Sequence, residues 1–270
     1  MKLCFSTLGC CDWTLREACA AAKDLAFSGI EIRRLENAKH APDFKCFTGK
    51  QLAESIALLR EKELCIPLLA SRAVFGTAQG CADSMQTFSE YCALAKKLGV
   101  PYVKVALTDR PTALDYNERD ALAGLTALCA AAAHCGVAVL ITSNGAFSNS
   151  ALLAEFLEKA AVKNCAVLWD IHYTVRIGAE TPAQTVENLG DAIRFVQIKD
   201  SSVRDARVEY RLPGSGDLPV KQAVKLLKAR GYDGYYSCEW KKSWGDEFIS
   251  PGIVLSKFCA HMARLEKETM

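Results

Sequence analysis

With 270 residues, half of them apolar, the chain suits one large α/β domain or two small ones and carries enough apolar side chains for a sizeable core. Its net charge is only +2 and its basic residues are scattered without an interleaved aromatic stripe, which argues against nucleic acid as a partner. No apolar stretch approaches the roughly 20 residues that span a bilayer, and the 13 cysteines are odd in number, dispersed and free of C-x-x-C pairs, so small buried thiols in a reducing cytoplasm are expected, with no membrane partner.

The chain opens with Met1-Lys2-Leu3-Cys4-Phe5-Ser6, which enters a strand-like segment without the long apolar region of a signal peptide. β-rich segments are predicted at Leu3–Thr7, Gly29–Arg33, Cys65–Ala70, Tyr102–Leu107, Val137–Thr142, Ala166–Asp170, Phe195–Asp200 and Tyr235–Glu239, with longer helical stretches between them. Thr14 with Glu17, Thr48 with Gln51 and Thr181-Pro182 with Gln184 read as capping boxes. Ser250-Pro251 reads as an N-cap followed by proline at the first helical position. Helical patterns are expected to stop at Gly29, Gly99, Gly136 and Gly231, with Asn164 in the same part before Cys165. Asp217 is expected to cap the helix that follows the Gly214-Ser215-Gly216 turn.

Eight strands alternating with helices, at spacings that leave room for crossovers, predict parallel pairing and a single (β/α)8 TIM barrel over residues 1–270. The competing doubly wound sheet lacks its glycine fingerprint after the first strand. A barrel of this kind places its active site at the C-terminal strand ends. Period-two alternation there aligns Glu31 with Arg33, Thr142 with Leu140, Asp170 with Leu168, Gln197 with Lys199, and Glu239 with Ser237. The expected mouth therefore offers Glu31, Arg33, Thr142, Asp170, Gln197, Lys199 and Glu239.

The segments Gly29-Ile30-Glu31-Ile32-Arg33, Trp169-Asp170-Ile171-His172, Gln197-Ile198-Lys199-Asp200, Pro213-Gly214-Ser215-Gly216-Asp217, Gly231-Tyr232-Asp233-Gly234-Tyr235 and Glu239-Trp240 occur in an order and spacing that carry a resemblance. The chain resembles the xylose isomerase-like TIM barrel superfamily, in its sugar-phosphate isomerase/epimerase branch. That resemblance implies a (β/α)8 barrel acting on a small sugar or sugar phosphate by proton transfer next to a carbonyl. It also implies one divalent cation held by a Glu, an Asp, a His and a second Glu, which would stabilise an enediolate while flanking carboxylates move the proton. Asp170 stands at the family Asp and Glu239 at the second Glu. Thr142 stands where the first Glu belongs, Gln197 where the His belongs, and Tyr173, beside His172, where the substrate-side His belongs.

A set made of Thr142, Asp170, Gln197 and Glu239 would be all-oxygen, weak, and better suited to Mg²⁺ or Ca²⁺ than to Mn²⁺ or Zn²⁺. Alternatively Lys199 or Lys104 fills the cation's place, because two inward carboxylates need a counter-charge. Under the enzymatic reading Glu239 is the base, His172 or Lys199 the proton donor, and Arg33, Glu31, Lys104, Tyr173 and Trp240 contact substrate. Arg72 is a further candidate anion binder, and Trp240 and Trp244 also read as packing residues. The competing reading is a non-catalytic or regulatory sugar-binding relative without the metal. A multi-zinc nuclease is set aside, because of His40, His134, His172 and His261 only one lies at a predicted strand end. Barrels of this family often pair through loops and outer helices, so a homo-oligomer stays open.

Overall fold

The computed structural model describes residues 1–241, 244 and 249–269. In chain order the strands are β1 (Lys2–Ser6), β2 (Gly29–Glu31), β3 (Leu68–Val74), β4 (Tyr102–Ala106), β5 (Ala138–Thr142), β6 (Cys165–Asp170), β7 (Ile193–Ile198), β8 (Asp200–Arg204), β9 (Arg207–Arg211) and β10 (Tyr235–Cys238). Eight of them are hydrogen-bonded in the order β2-β1-β10-β7-β6-β5-β4-β3, a nearly closed parallel barrel of the (β/α)8 type. By contact the chain divides into two compact units, Met1–Cys65 with Val196–Met270, and Ile66–Phe195.

In the first unit β1 is central. Cys4 and Phe5 lie opposite Gly29 and Ile30 of β2 and opposite Ser237 and Cys238 of β10, and all of these residues are buried. Helix α1 (Leu15–Asp24) starts at a true capping box. The Glu17 amide donates to the Thr14 hydroxyl at 3.2 Å and the Glu17 carboxylate accepts the Thr14 amide at 2.7 Å. Those bonds to the ionised form lower the Glu17 pKa. Helix α2 (Gln51–Glu61) departs from expectation. Its N-cap is Lys50, because the Thr48 hydroxyl donates to the Lys45 carbonyl and left-handed Gly49 (φ +51°) separates Thr48 from the helix. The stop before β2 is likewise not Gly29, which belongs to the strand, but left-handed Ala26 (φ +57°), while Leu25 closes the helix.

In the second unit β3 to β6 run parallel in register, Leu69 beside Val103, Val103 beside Val139, and Val139 beside Cys165. The predicted start of β3 at Cys65 moves to Leu68, because Pro67 has no amide to give to a ladder. Helices α3 (Ala78–Leu98), α4 (Glu118–Ala133) and α5 (Ser150–Ala160) carry cap side chains Thr77, Asn117 and Asn149. Gly99 ends α3 in the left-handed conformation as expected. Ala161 (φ +50°), not Asn164, does so for α5; the Asn164 amide instead donates to the carbonyls of Cys129 and Val137. Beyond the short α6 (Ile171–Arg176), helix α7 (Pro182–Leu189) keeps its predicted Thr181/Gln184 box.

Two helices finish the first unit. Helix α8 (Val220–Ala229) is preceded by Pro219, so Asp217 is not its cap; the Asp217 amide donates to the Ser201 carbonyl at 3.0 Å. Helix α9 (Pro251–Glu268) has the expected Pro at its start and Ser250 at the N-cap, without a side-chain bond there. All thirteen cysteines are free. Burial pushes the thiol pKa of Cys92 up to about 12 and that of Cys19 up to about 11, which suits inert packing groups. Among the described residues no helix is long and apolar enough to cross a membrane.

Candidate functional site

In the first unit, β2, β7 and β10 bring their end residues together in two rungs. The lower rung centres on Glu31, only 1% exposed. Gln197 donates its amide Nε2 to Glu31 Oε1 at 2.9 Å, and Ser237 donates its hydroxyl to Oε2 at 2.7 Å. A carboxylate only accepts, so the Gln197 amide is fixed with its NH₂ towards Glu31. The carboxylate also raises the pKa of nearby Cys4, whose burial is the larger cause.

Two residues further along β7 and β10 lies the upper rung. Lys199 Nζ donates to Glu239 Oε2 at 2.5 Å, with the lysine side chain 1% and the glutamate 12% exposed. The Glu239 amide donates to the Ile198 carbonyl at 2.9 Å, which extends the parallel ladder and fixes the residue's position. The lysine ammonium lies 5.3 Å from the centroid of the Trp244 ring, within reach of a cation–π attraction. Trp244 in turn stacks on Tyr210 of β9, centroids 4.5 Å apart and planes 11° from parallel.

Tyr210 arrives on a hairpin absent from the sequence expectations. β8 and β9 pair antiparallel, with Ser201 opposite Tyr210, around Asp205 and Ala206, both left-handed (φ +48° and +58°). At the hairpin's root Asp200 Oδ2 accepts the amides of Gly214 and Gly216, each at 2.9 Å, and Oδ1 accepts the Ser201 amide. The Gly214-Ser215-Gly216 turn thus cradles a carboxylate of its own chain. A Cβ on Gly216 would fall 2.1 Å from Asp200 Oδ1, so only glycine fits there.

Other candidates in this unit are placed separately. The Arg33 amide donates to the Thr7 hydroxyl at 2.9 Å, which orients the chain leaving β2, and the Arg33 side chain is partly exposed. Trp240 is 4% exposed and lines a small cavity with Phe5, Cys10, Val254 and Leu255, a packing environment rather than an open platform.

In the second unit Asp170 ends β6 and caps α6. Its Oδ1 accepts the His172 amide at 3.1 Å, and its own amide donates to the Ser143 hydroxyl at 2.9 Å. His172 is buried and meets Tyr173 edge-on, ring centroids 5.4 Å apart. Thr142 donates its hydroxyl to the Val105 carbonyl at 3.3 Å. Lys104 lies on β4 with its carbonyl accepting the Ser71 hydroxyl.

The four positions assigned to a divalent cation by resemblance are divided between the units: Gln197 and Glu239 in the first, Thr142 and Asp170 in the second. Of their bonds, the Lys199 ammonium on Glu239 Oε2 is the one that opposes such an ion; Gln197 and Thr142 donate through an NH₂ and a hydroxyl, which keeps their oxygen lone pairs, and Asp170 gives one oxygen to a helix N-terminus. Among the described residues no group of three or more His, Cys, Asp or Glu side chains is arranged to hold a metal ion. The Lys199–Glu239 pair, an acid beside a base, lies one rung beyond a Glu31 carboxylate bonded by two neutral groups, and such a pair can take and return a proton.

The sequence profile described as xylose isomerase-like TIM barrel matches residues 19–253. No curated protein matches the chain. Among solved structures, the chain is similar to a D-psicose 3-epimerase with D-tagatose from Clostridium cellulolyticum H10 (TM-score 0.79, 14% identity, covering 100% of this chain and 99% of that one). It is also similar to a 3-keto-D-glucoside 4-epimerase from E. coli in its apo form (TM-score 0.71, 18% identity, 99% and 99%). A third likeness is to the IOLI protein with a binding zinc atom (TM-score 0.81, 16% identity, 100% and 99%). At these identities the likeness is one of fold.

Proposed function

We propose, from the premise that this chain belongs to the xylose isomerase-like TIM barrel family, that it is a sugar or sugar-phosphate isomerase or epimerase acting by proton transfer at a carbon next to a carbonyl. The observation that carries this reading is the Lys199–Glu239 pair at the end of β7 and just beyond β10, a base and an acid 2.5 Å apart. The epimerases similar in fold support it by analogy. Glu239 takes the proton from carbon, and the Lys199 ammonium stabilises negative charge as it develops on the carbonyl oxygen. Lys199 returns the proton, and Arg33 is the further substrate contact in the same unit. Glu31 is assigned to holding Gln197 and Ser237, and Trp240 to packing. No step is routed through a cation. The proposal takes residues 1–270 as one cytoplasmic barrel domain.

The second reading, a sugar-binding relative that does not turn over its ligand, is favoured by one feature of the same pair: Glu239 spends a lone pair on the ammonium. Screening a panel of ketoses, aldoses and their phosphates for isomer formation separates the two. The enzymatic reading expects turnover that falls about 10²-fold or more in Glu239→Gln. A variant as active as the wild type would remove Glu239 as the base. Sugar-dependent thermal stabilisation without any turnover would establish the binding reading.

A further inference from the structure

The charge balance of the upper rung goes further than the choice of reaction. We infer that the Lys199 ammonium is a built-in counter-cation, standing at Glu239 in place of the divalent ion that the fold's cation-dependent members would hold, and that it masks a latent cation site. The inference rests on reading Glu239 as a site carboxylate.

Three observations lead there. Lys199 is one of the largest fully buried side chains among the described residues, and a buried ammonium is stable only with a partner of opposite charge. That partner is Glu239, the carboxylate assigned to the cation by resemblance, and the 2.5 Å contact puts Nζ where an ion on Oε2 would compete with it. The neighbouring position where the family pattern has an imidazole is Gln197, whose amide NH₂ is turned to Glu31 and so cannot join an ion with that end. The Trp244 ring 5.3 Å from Nζ adds a surface that favours a cation of low hydration demand. A divalent ion keeps much of its water and prefers oxygen ligands, so an indole is a poor neighbour for it. Lysine and indole therefore belong to the same arrangement, in which the positive charge is covalently attached and cannot be lost.

Removing the lysine unmasks the carboxylate. Glu239 in Lys199→Met is a largely buried carboxylate without its counter-charge, which Mg²⁺, Ca²⁺ or Mn²⁺ can supply while keeping part of its water. The test is thermal unfolding of wild type, Lys199→Met and Lys199→Met/Glu239→Gln, each titrated with Mg²⁺, Ca²⁺ and Mn²⁺ after chelator dialysis. Elemental analysis of the dialysed wild type is run beside it. The expected result is a wild type free of stoichiometric metal and indifferent to the ions. Lys199→Met should gain a rise in Tm of roughly 5–10 °C at about 100-fold excess over Kd, lost again in the double variant. Stoichiometric metal in the wild type, or an equal rise in wild type and Lys199→Met, overturns the inference; so does a Lys199→Met protein that no ion stabilises. If Lys199→Met does not fold, Lys199→Gln replaces it, and the wild-type analysis decides by itself, with retained metal contradicting the inference and its absence supporting it. None of these readouts uses a substrate, so the inference and the isomerase reading fail separately.

Discussion

Glu31 and Glu239 are both held against β7, one by the residue at position 197 and the other by the residue at 199, yet they are kept in opposite ways. Glu31 is sealed at 1% exposure and satisfied by an amide and a hydroxyl, both neutral. Glu239 retains 12% exposure and is satisfied by a full positive charge. The Glu31 rung has both carboxylate oxygens occupied by neutral donors and ties three strands together. The charged rung holds a proton donor and an acceptor side by side, the arrangement that general acid–base chemistry uses. The difference teaches that a strand-end carboxylate is not by itself a functional residue; its partners decide.

The largest effect expected from breaking this contrast is in Lys199→Met, which strands a largely buried carboxylate. A loss of about 3–5 kcal/mol is expected in denaturant unfolding, with more than half recovered in Lys199→Met/Glu239→Gln. If the double variant is no more stable than the single, the pair is not the coupled unit described. Glu31→Gln, which sets an amide NH₂ against existing donors, should cost roughly 1–3 kcal/mol. It should do so whether or not the cell carries sugar, because the rung is structural. Ser237→Ala removes one bond to Glu31 and should cost about 1 kcal/mol, with turnover little changed. Smallest is Tyr210→Phe, which keeps the stack on Trp244; its unfolding midpoint should match wild type within experimental scatter, whereas Tyr210→Ala should lose about 0.5–1.5 kcal/mol. An equal loss in Phe and Ala variants would mean that the hydroxyl, not the stack, matters.

The barrel was legible because eight β-rich runs alternate with amphipathic stretches, and the family segments fall at the strand ends. The shifts at boundaries have local causes. Pro67 delays β3, Gly49 detaches Thr48 from α2, and Ala26 and Ala161 adopt left-handed backbone where glycine or asparagine was expected. Alanine has no preference for that region, so no sequence pattern announces it. The β8–β9 hairpin was missed for the same reason: Asp205-Ala206 is not an Asn-Gly or Asp-Gly turn. The period-two reading did place Gln197 with Lys199 and Ser237 with Glu239. It could not show that Gln197 turns its amide to Glu31, that Asp200 fills the glycine turn, or that Trp244 lies against Lys199, since each depends on residues distant in sequence. The alternation of the hairpin strands and the acidic residue directly after Lys199 were the signals available.

The central claim, that the charged rung moves a proton next to a sugar carbonyl, is tested most directly by solvent deuterium exchange. Wild type, Glu239→Gln and Ser237→Ala would be incubated in heavy water with chelator and a panel of ketohexoses and their phosphates, with exchange at the carbon beside the carbonyl followed by NMR. The account predicts exchange in wild type and Ser237→Ala, and a loss of about 10²-fold or more in Glu239→Gln. Exchange in Glu239→Gln equal to wild type would contradict it.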